Sequence, residues 1–314
     1  MISTGQPICG VSRSMTIPYF EFIDGIAKPR FIRGQAITKV EDDIENWHFK
    51  KKFRTFACSV LREIVITDRV IRYLKDRYGD VRTQFKINLT GPATLMWGIN
   101  ENIDRNSIDE KQAAVEKLAE ILVDAIQFIS ENGLLANVHH IQIDEPILSE
   151  IDYDGTAQNI VEIINGMVKA ISERFDQTVS VHVCGKLNPD IVRDLAIGPL
   201  DIFDLELSNL LSDESVDNRS YLRDLRDVVA GSNVENWAVG CIDSSSHRIE
   251  STREIETILS LLREQKTFDD KYIFKPDCGL RGLTLNEARQ KLTNFLDVAN
   301  EYQRIIEDER AIPI

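Results

Sequence analysis

The chain has 314 residues, 43% of them hydrophobic, enough to bury one large core, and α/β barrels commonly reach this size as a single domain. Its 37 Lys and Arg against 51 Asp and Glu give a formal charge of −14, which opposes phosphate backbones and anionic membrane surfaces and argues against nucleic acid or membrane as a partner. No stretch reaches the roughly 18 apolar residues that a membrane span needs, and no basic segment followed by an apolar run opens the chain, so a cytoplasmic protein is expected.

In chain order, short β-branched runs predict strands at 1–4, 85–89, 140–144, 179–183, 202–207, 237–242 and 272–274. Helical periodicity fills 49–78, 109–132, 158–175, 189–195, 220–229, 251–264 and 285–302. This alternation predicts parallel strands joined by crossover helices, hence an α/β class. Seven strands in this order predict a TIM-like (β/α)8 barrel over residues 1–314, one strand short of closure. An open barrel leaves unpaired backbone groups along two edges, so residues 31–40, a partner chain completing the barrel, or residues lost from the start are expected to cover the gap. Trp47, His48 and Phe49 are read as opening the first helix in a packing role, and His139 and His140, at the amino end of their strand, as structural.

Five cysteines, Cys9, Cys58, Cys184, Cys241 and Cys278, are too few and odd in number for a disulfide framework, and point to reduced thiols or metal ligands. In Val181-His182-Val183-Cys184-Gly185, His182 and Cys184 stand two apart at a strand end, so both side chains share a face. Cys278 follows the last strand in Lys275-Pro276-Asp277-Cys278-Gly279-Leu280, and Glu206 lies on the strand after the histidine, in Asp204-Leu205-Glu206-Leu207-Ser208. In a barrel the carboxyl ends of all strands converge on one mouth, so one nitrogen, two sulfurs and one carboxylate would meet there. Zinc prefers such a set, and iron–sulfur clusters need more cysteines. Cys241, short of its strand end, is a weaker ligand than Cys278.

Two further strand ends carry polar groups. In Ile143-Asp144-Glu145-Pro146 two adjacent carboxylates alternate in direction, so one faces the mouth, where it can hold a substrate ammonium group, while the other braces a neighbour. Asp144 and Glu145 are therefore substrate-binding candidates. In Gly240-Cys241-Ile242-Asp243-Ser244-Ser245-Ser246-His247-Arg248 a hydroxyl-rich loop leaves its strand, and Asp243 and His247 are weak candidates for proton transfer.

With these residues in place, the chain resembles the cobalamin-independent methionine synthase superfamily, in particular its C-terminal catalytic barrel and the stand-alone core methionine synthases. The resemblance runs from near residue 1 to about 305 and rests on Leu89-Thr90-Gly91-Pro92-Ala93-Thr94, Ile143-Asp144-Glu145-Pro146, His182-Val183-Cys184, Glu206 and Pro276-Asp277-Cys278-Gly279-Leu280, in family order. It implies that His182, Cys184, Glu206 and Cys278 hold Zn2+, that homocysteine is methylated at its thiol to give methionine, and that Asp144 holds the substrate amine. The resemblance to the shorter core enzymes implies a methyl-corrinoid or a corrinoid protein as donor, and Trp97 stands about one position off the tryptophan of the long, folate-using enzymes. Family members begin with a Gly-Ser strand that helps to hold the substrate carboxylate, whereas this chain opens on what looks like the family's second-strand segment. Two other readings compete. A methylcobalamin:coenzyme M methyltransferase of the related uroporphyrinogen decarboxylase-like group shares His-x-Cys-Gly, but its sulfonate substrate has no amine for Asp144 and Glu145. A non-catalytic zinc-binding subunit of a heteromeric complex is the third.

Overall fold

The computed structural model of the chain describes residues 2–4, 17–20, 22–26, 30–32, 35–37, 40–50, 61–79, 85–99, 108–208, 218–265 and 272–310. Its centre is a parallel sheet whose strands run in sequence order: β1 (Ile2–Thr4), β2 (Phe85–Thr90), β3 (Val138–Asp144), β4 (Thr178–Val183), β5 (Ile202–Glu206), β6 (Asn236–Gly240) and β7 (Tyr272–Lys275). Helices α1 (Leu61–Tyr78), α2 (Pro92–Trp97), α3 (Ile108–Glu131), α4 (Gly155–Arg174), α5 (Pro189–Ala196), α6 (Asn218–Ala230), α7 (Thr252–Gln265) and α8 (Leu285–Arg310) alternate with the strands. This is the expected α/β architecture of a TIM-like barrel. Among the described residues no pairing joins β7 back to β1.

Fully covered parallel strands usually read as continuous apolar runs, but here they alternate. Ile87 and Leu89, Ile141 and Ile143, Val179, Val181 and Val183, and Phe203 and Leu205 turn outward into the core shared with the helices. The intervening positions, Lys86, Asn88 and Thr90, His140, Gln142 and Asp144, Ser180 and His182, and Asp204 and Glu206, line the inner face. Register then sets Asp144 beside His182 and His182 beside Asp204 on adjacent strands, near their carboxyl ends. Helix starts follow local chemistry: the Asp154 side chain accepts from Thr156 N and Ala157 N to cap α4, and Asn188 caps α5 ahead of Pro189.

The amino-terminal third departs from the sequence reading. His48–Phe49 is a strand paired antiparallel with Ile23–Asp24, so it does not open a helix; α1 is described from Leu61, and 51–60 lie outside the described residues. The reason is a period of two: His48 is exposed, whereas Phe49 is buried edge-on between Phe22 and Phe128, and the buried Trp47 donates to Asp42 O at 3.0 Å. The packing role expected for Trp47 and Phe49 holds. Overlapping 31–40, Arg30–Ile32 and Gln35–Ile37 form an antiparallel pair with each other. Helix α2, which the reading did not predict, begins at Pro92, whose fixed φ and missing N–H suit the first helical turn. No helix among the described residues is long and apolar enough to cross a membrane.

Candidate metal centre

Strand β4 delivers His182 on the inner face, and Cys184 follows just beyond its end. Gly185 then turns the chain with φ +85, a conformation that side chains disfavour, and this aims its N–H at Glu206 Oε2, 2.7 Å away. Cys278 arrives from the loop after β7. That loop is pinned by Asp277 N to Ile242 O at 2.9 Å and by Cys278 N to Ser244 Oγ at 3.0 Å. Gly240 makes the pinning possible, because a Cβ there would lie 2.7 Å from Asp277 Cα.

These elements converge three ligand atoms. His182 Nε2 lies 3.0 Å from Cys184 Sγ and 3.2 Å from Cys278 Sγ, and the two sulfurs are 2.8 Å apart, well beyond a disulfide bond. All three lie within 4.8 Å of one another, the spacing of groups that can share one metal ion. Glu206 stands beside this trio on the neighbouring strand, half-buried and holding the Gly185 turn. A nitrogen and two sulfurs are a zinc-type donor set.

The surroundings charge the trio. His182 Nδ1 donates to Asp204 Oδ1 at 2.8 Å, and Lys275 Nζ reaches the same oxygen at 2.8 Å. Burial disfavours the imidazolium, but the Asp204 charge and hydrogen bond outweigh it and raise His182 to about 10. Burial likewise opposes the Asp204 carboxylate, and His182 and Lys275 overcome it, holding the acid at about 2. The hydrogen bond between the two sulfurs, with His182 beside it, lowers Cys278 against burial and raises Cys184. One of the two sulfurs is thus ready as a thiolate, the form a metal requires.

The adjacent carboxylates at the end of β3 divide as alternation demands. Asp144 faces inward, buried, with its Oδ1 accepting from Gln142 Nε2 at 2.6 Å and its Oδ2 from Asn88 Nδ2 at 3.4 Å. Glu145 turns the other way and braces α2, accepting from Ala93 N at 2.9 Å, Thr94 N at 2.8 Å and Thr94 Oγ1 at 2.7 Å. Burial is the largest influence on Glu145 and, against these bonds, raises it to about 7.

The loop after β6 is built as a support. Asp243 Oδ1 closes a turn by accepting from Ser245 N, Ser245 Oγ and Ser246 N, and His247 is exposed and paired with Glu287 at 3.1 Å. Neither joins the trio. Cys241 is buried one residue past β6, its thiol pushed up to about 12 by burial, and it too lies outside the group; Cys9 and Cys58 lie outside the described residues. Sequence reasoning missed Asp204 and Lys275, although both stand in the quoted motifs. Asp204, two residues before Glu206 on a strand, necessarily shares its face, which was the available signal.

A family model described as "Cobalamin-independent synthase, Catalytic domain" matches residues 32–301. The chain is 29% identical over 241 residues to the methionine synthase of Methanothermobacter marburgensis, covering 76% of this chain and 69% of that one. It is 28% identical over 235 residues to the methionine synthase of Methanothermobacter thermautotrophicus, covering 74% and 67%. Against the 5-methyltetrahydropteroyltriglutamate–homocysteine methyltransferase of Blochmanniella floridana the identity is 28% over 218 residues, 67% of this chain but 26% of that protein. A solved B12-independent methionine synthase from Shewanella sp. W3-18-1, in complex with selenomethionine, shares the fold with a TM-score of 0.62 and 18% identity, over 93% of this chain and 80% of that one. The chain therefore belongs to the cobalamin-independent synthase catalytic-domain family and is, with that family, a methyltransferase enzyme.

Proposed function

We propose that the chain transfers a methyl group to the thiol of homocysteine, using zinc held by His182, Cys184, Glu206 and Cys278. The observation that carries this reading is the convergence of His182 Nε2, Cys184 Sγ and Cys278 Sγ within 4.8 Å at the carboxyl ends of the strands. Zinc in such a place lowers the pKa of a thiol without redox chemistry of its own. The chain's own residues do the rest. Asp144 is buried at the neighbouring strand end, steadied by Gln142 and Asn88, and supplies the anionic oxygen that an amino group needs. That placement favours an α-amino thiol over a sulfonated one. Glu145 anchors α2 against the end of β3 and so fixes the wall next to Asp144. Ser244 and Gly240 keep the Cys278 loop in contact with the mouth.

The corrinoid donor implied by resemblance to the core enzymes gains no support from the relatives, one of which is named for a folate donor. Zinc-loaded protein incubated with homocysteine and either methylcobalamin or methyltetrahydropteroyltriglutamate, with methionine measured by mass spectrometry, tests both points. Methionine from one donor supports the reading and names that donor. Folded, zinc-loaded protein that makes methionine from neither donor overturns it.

A further inference from the structure

Asp204 and Lys275 join His182 to the Cys278 loop through one continuous chain of contacts across β4, β5 and β7. His182 on β4 donates from Nδ1 to Asp204 on β5 at 2.8 Å. Lys275, at the end of β7, donates to the same Asp204 Oδ1 at 2.8 Å. Its remaining donors go to Pro276 O at 2.8 Å and Asp277 O at 2.5 Å, the two carbonyls that lead directly to Cys278. Lys275 spans β6 to do so. The positions of β6 in register with Asp204 and Lys275 are Ala238 and Gly240, whose small side chains leave the crossing open.

We propose that Asp204 and Lys275 are positioning residues acting as a single bracket, which fixes the ring nitrogen His182 presents to the metal and holds the Cys278 loop at the matching distance. An ionised carboxylate only accepts hydrogen bonds, so the Nδ1 facing Asp204 keeps its hydrogen, and Nε2, facing both sulfurs, is the nitrogen that would give up its proton to a metal. Carboxylates behind metal-bound imidazoles act in this way, and their loss typically lowers metal affinity about 10–100-fold. Lys275 extends the effect to the other ligand strand: it holds Asp204 in place and draws in the peptide that bears Cys278. The small residues of β6 are then part of the device, because a large side chain at Ala238 would stand in the lysine's path. The inference rests on the metal reading above and concerns residues outside the proposed ligand set.

The test compares zinc affinity, by competition with a chromogenic chelator, in wild type, Asp204→Asn, Lys275→Met and the double variant. A bracket acting as one unit predicts a loss of about 10-fold or more in each single variant and little further loss in the double. Single variants that fold with zinc affinity within about threefold of wild type overturn the proposal, as do losses that multiply in the double variant. Imidazole ¹⁵N NMR of the zinc-loaded wild type provides a measurement that needs no variant to fold. It is expected to show His182 protonated at Nδ1, and protonation at Nε2 overturns the proposal. Wild-type protein that does not bind zinc overturns the functional reading and the bracket with it, whereas tight zinc in wild type and single variants alike overturns the bracket alone.

Discussion

Replacing Lys291 tests how the loop over the mouth is held. Its ammonium is fully buried on α8 and spends its donors on Glu250 Oε1 at 3.0 Å, Glu250 Oε2 at 2.8 Å and Asp243 O at 2.7 Å. Glu250 is itself 2% exposed and otherwise accepts from Asp243 N at 3.1 Å. Lys291→Met keeps the volume and apolar stem but leaves a buried carboxylate without its counter-charge, a change that costs about 3–5 kcal/mol. For a chain of this size about 1 kcal/mol moves the melting temperature by roughly 2 °C, so a fall of about 6–10 °C is expected by differential scanning calorimetry. Because Ser244 in the same loop accepts from Cys278 N, zinc affinity is expected to fall as well. Removing both charges in Lys291→Met/Glu250→Leu should recover part of the stability, since a pair replaced whole leaves no orphan. A single variant that melts within about 2 °C of wild type, equivalent to about 1 kcal/mol, would show that the Lys291–Glu250 pair does not hold this loop.

Three other outcomes follow from the site. His182→Ala and Cys278→Ala are each expected to lose most bound zinc, measured by plasma emission spectrometry on the folded protein, with Glu206→Gln affected less; stoichiometric zinc in both alanine variants would reject the ligand set. Gly240→Ala places a Cβ 2.7 Å from a backbone atom of Asp277 that cannot swing aside, so it should destabilise the fold by about 1–3 kcal/mol and weaken zinc binding, checked by urea unfolding and chelator competition. His140, lowered to about 4 by burial and by the Lys86 charge, stays neutral in the fold while its unfolded form protonates near 6.5. Its contribution is therefore complete above pH 6.5 and lost as pH falls towards 4, and His140→Gln should flatten the stability profile in that window by up to about 1.4 kcal/mol per pH unit; parallel wild-type and variant profiles would contradict this.

Much of the barrel could be read from the chain because its strands announce themselves. The runs ending in Leu89, Asp144, Val183, Leu207 and Phe274 are short, β-branched and bounded by polar residues, and each holds a strand of one parallel sheet. His182, Cys184 and Cys278 were legible for the same reason: parallel order brings strand ends to one side whatever their separation in sequence. What escaped depends on register or long-range contact. That Lys275 meets Asp204 requires knowing that Ala238 and Gly240 lie between them, and no local pattern links Lys291 to Glu250, 41 residues away. Alternation also marks the polar inner face, since Lys86, Asn88 and Thr90 recur at a period of two, just as His182 and Cys184 do at their strand end. At His48–Phe49 a hydrophobic run was read with helical period, although its one buried side chain belongs to a two-residue strand.

On the proposed function, the His182, Cys184 and Cys278 group holds the zinc that makes the substrate thiol reactive. The most direct measurement is methionine formation by one preparation, stripped of metal by a chelator and then restored with one equivalent of zinc, with homocysteine and the productive methyl donor present. No methionine is expected from the stripped protein, recovery on adding zinc, and no recovery in His182→Ala. Equal methionine from stripped and restored protein would contradict it.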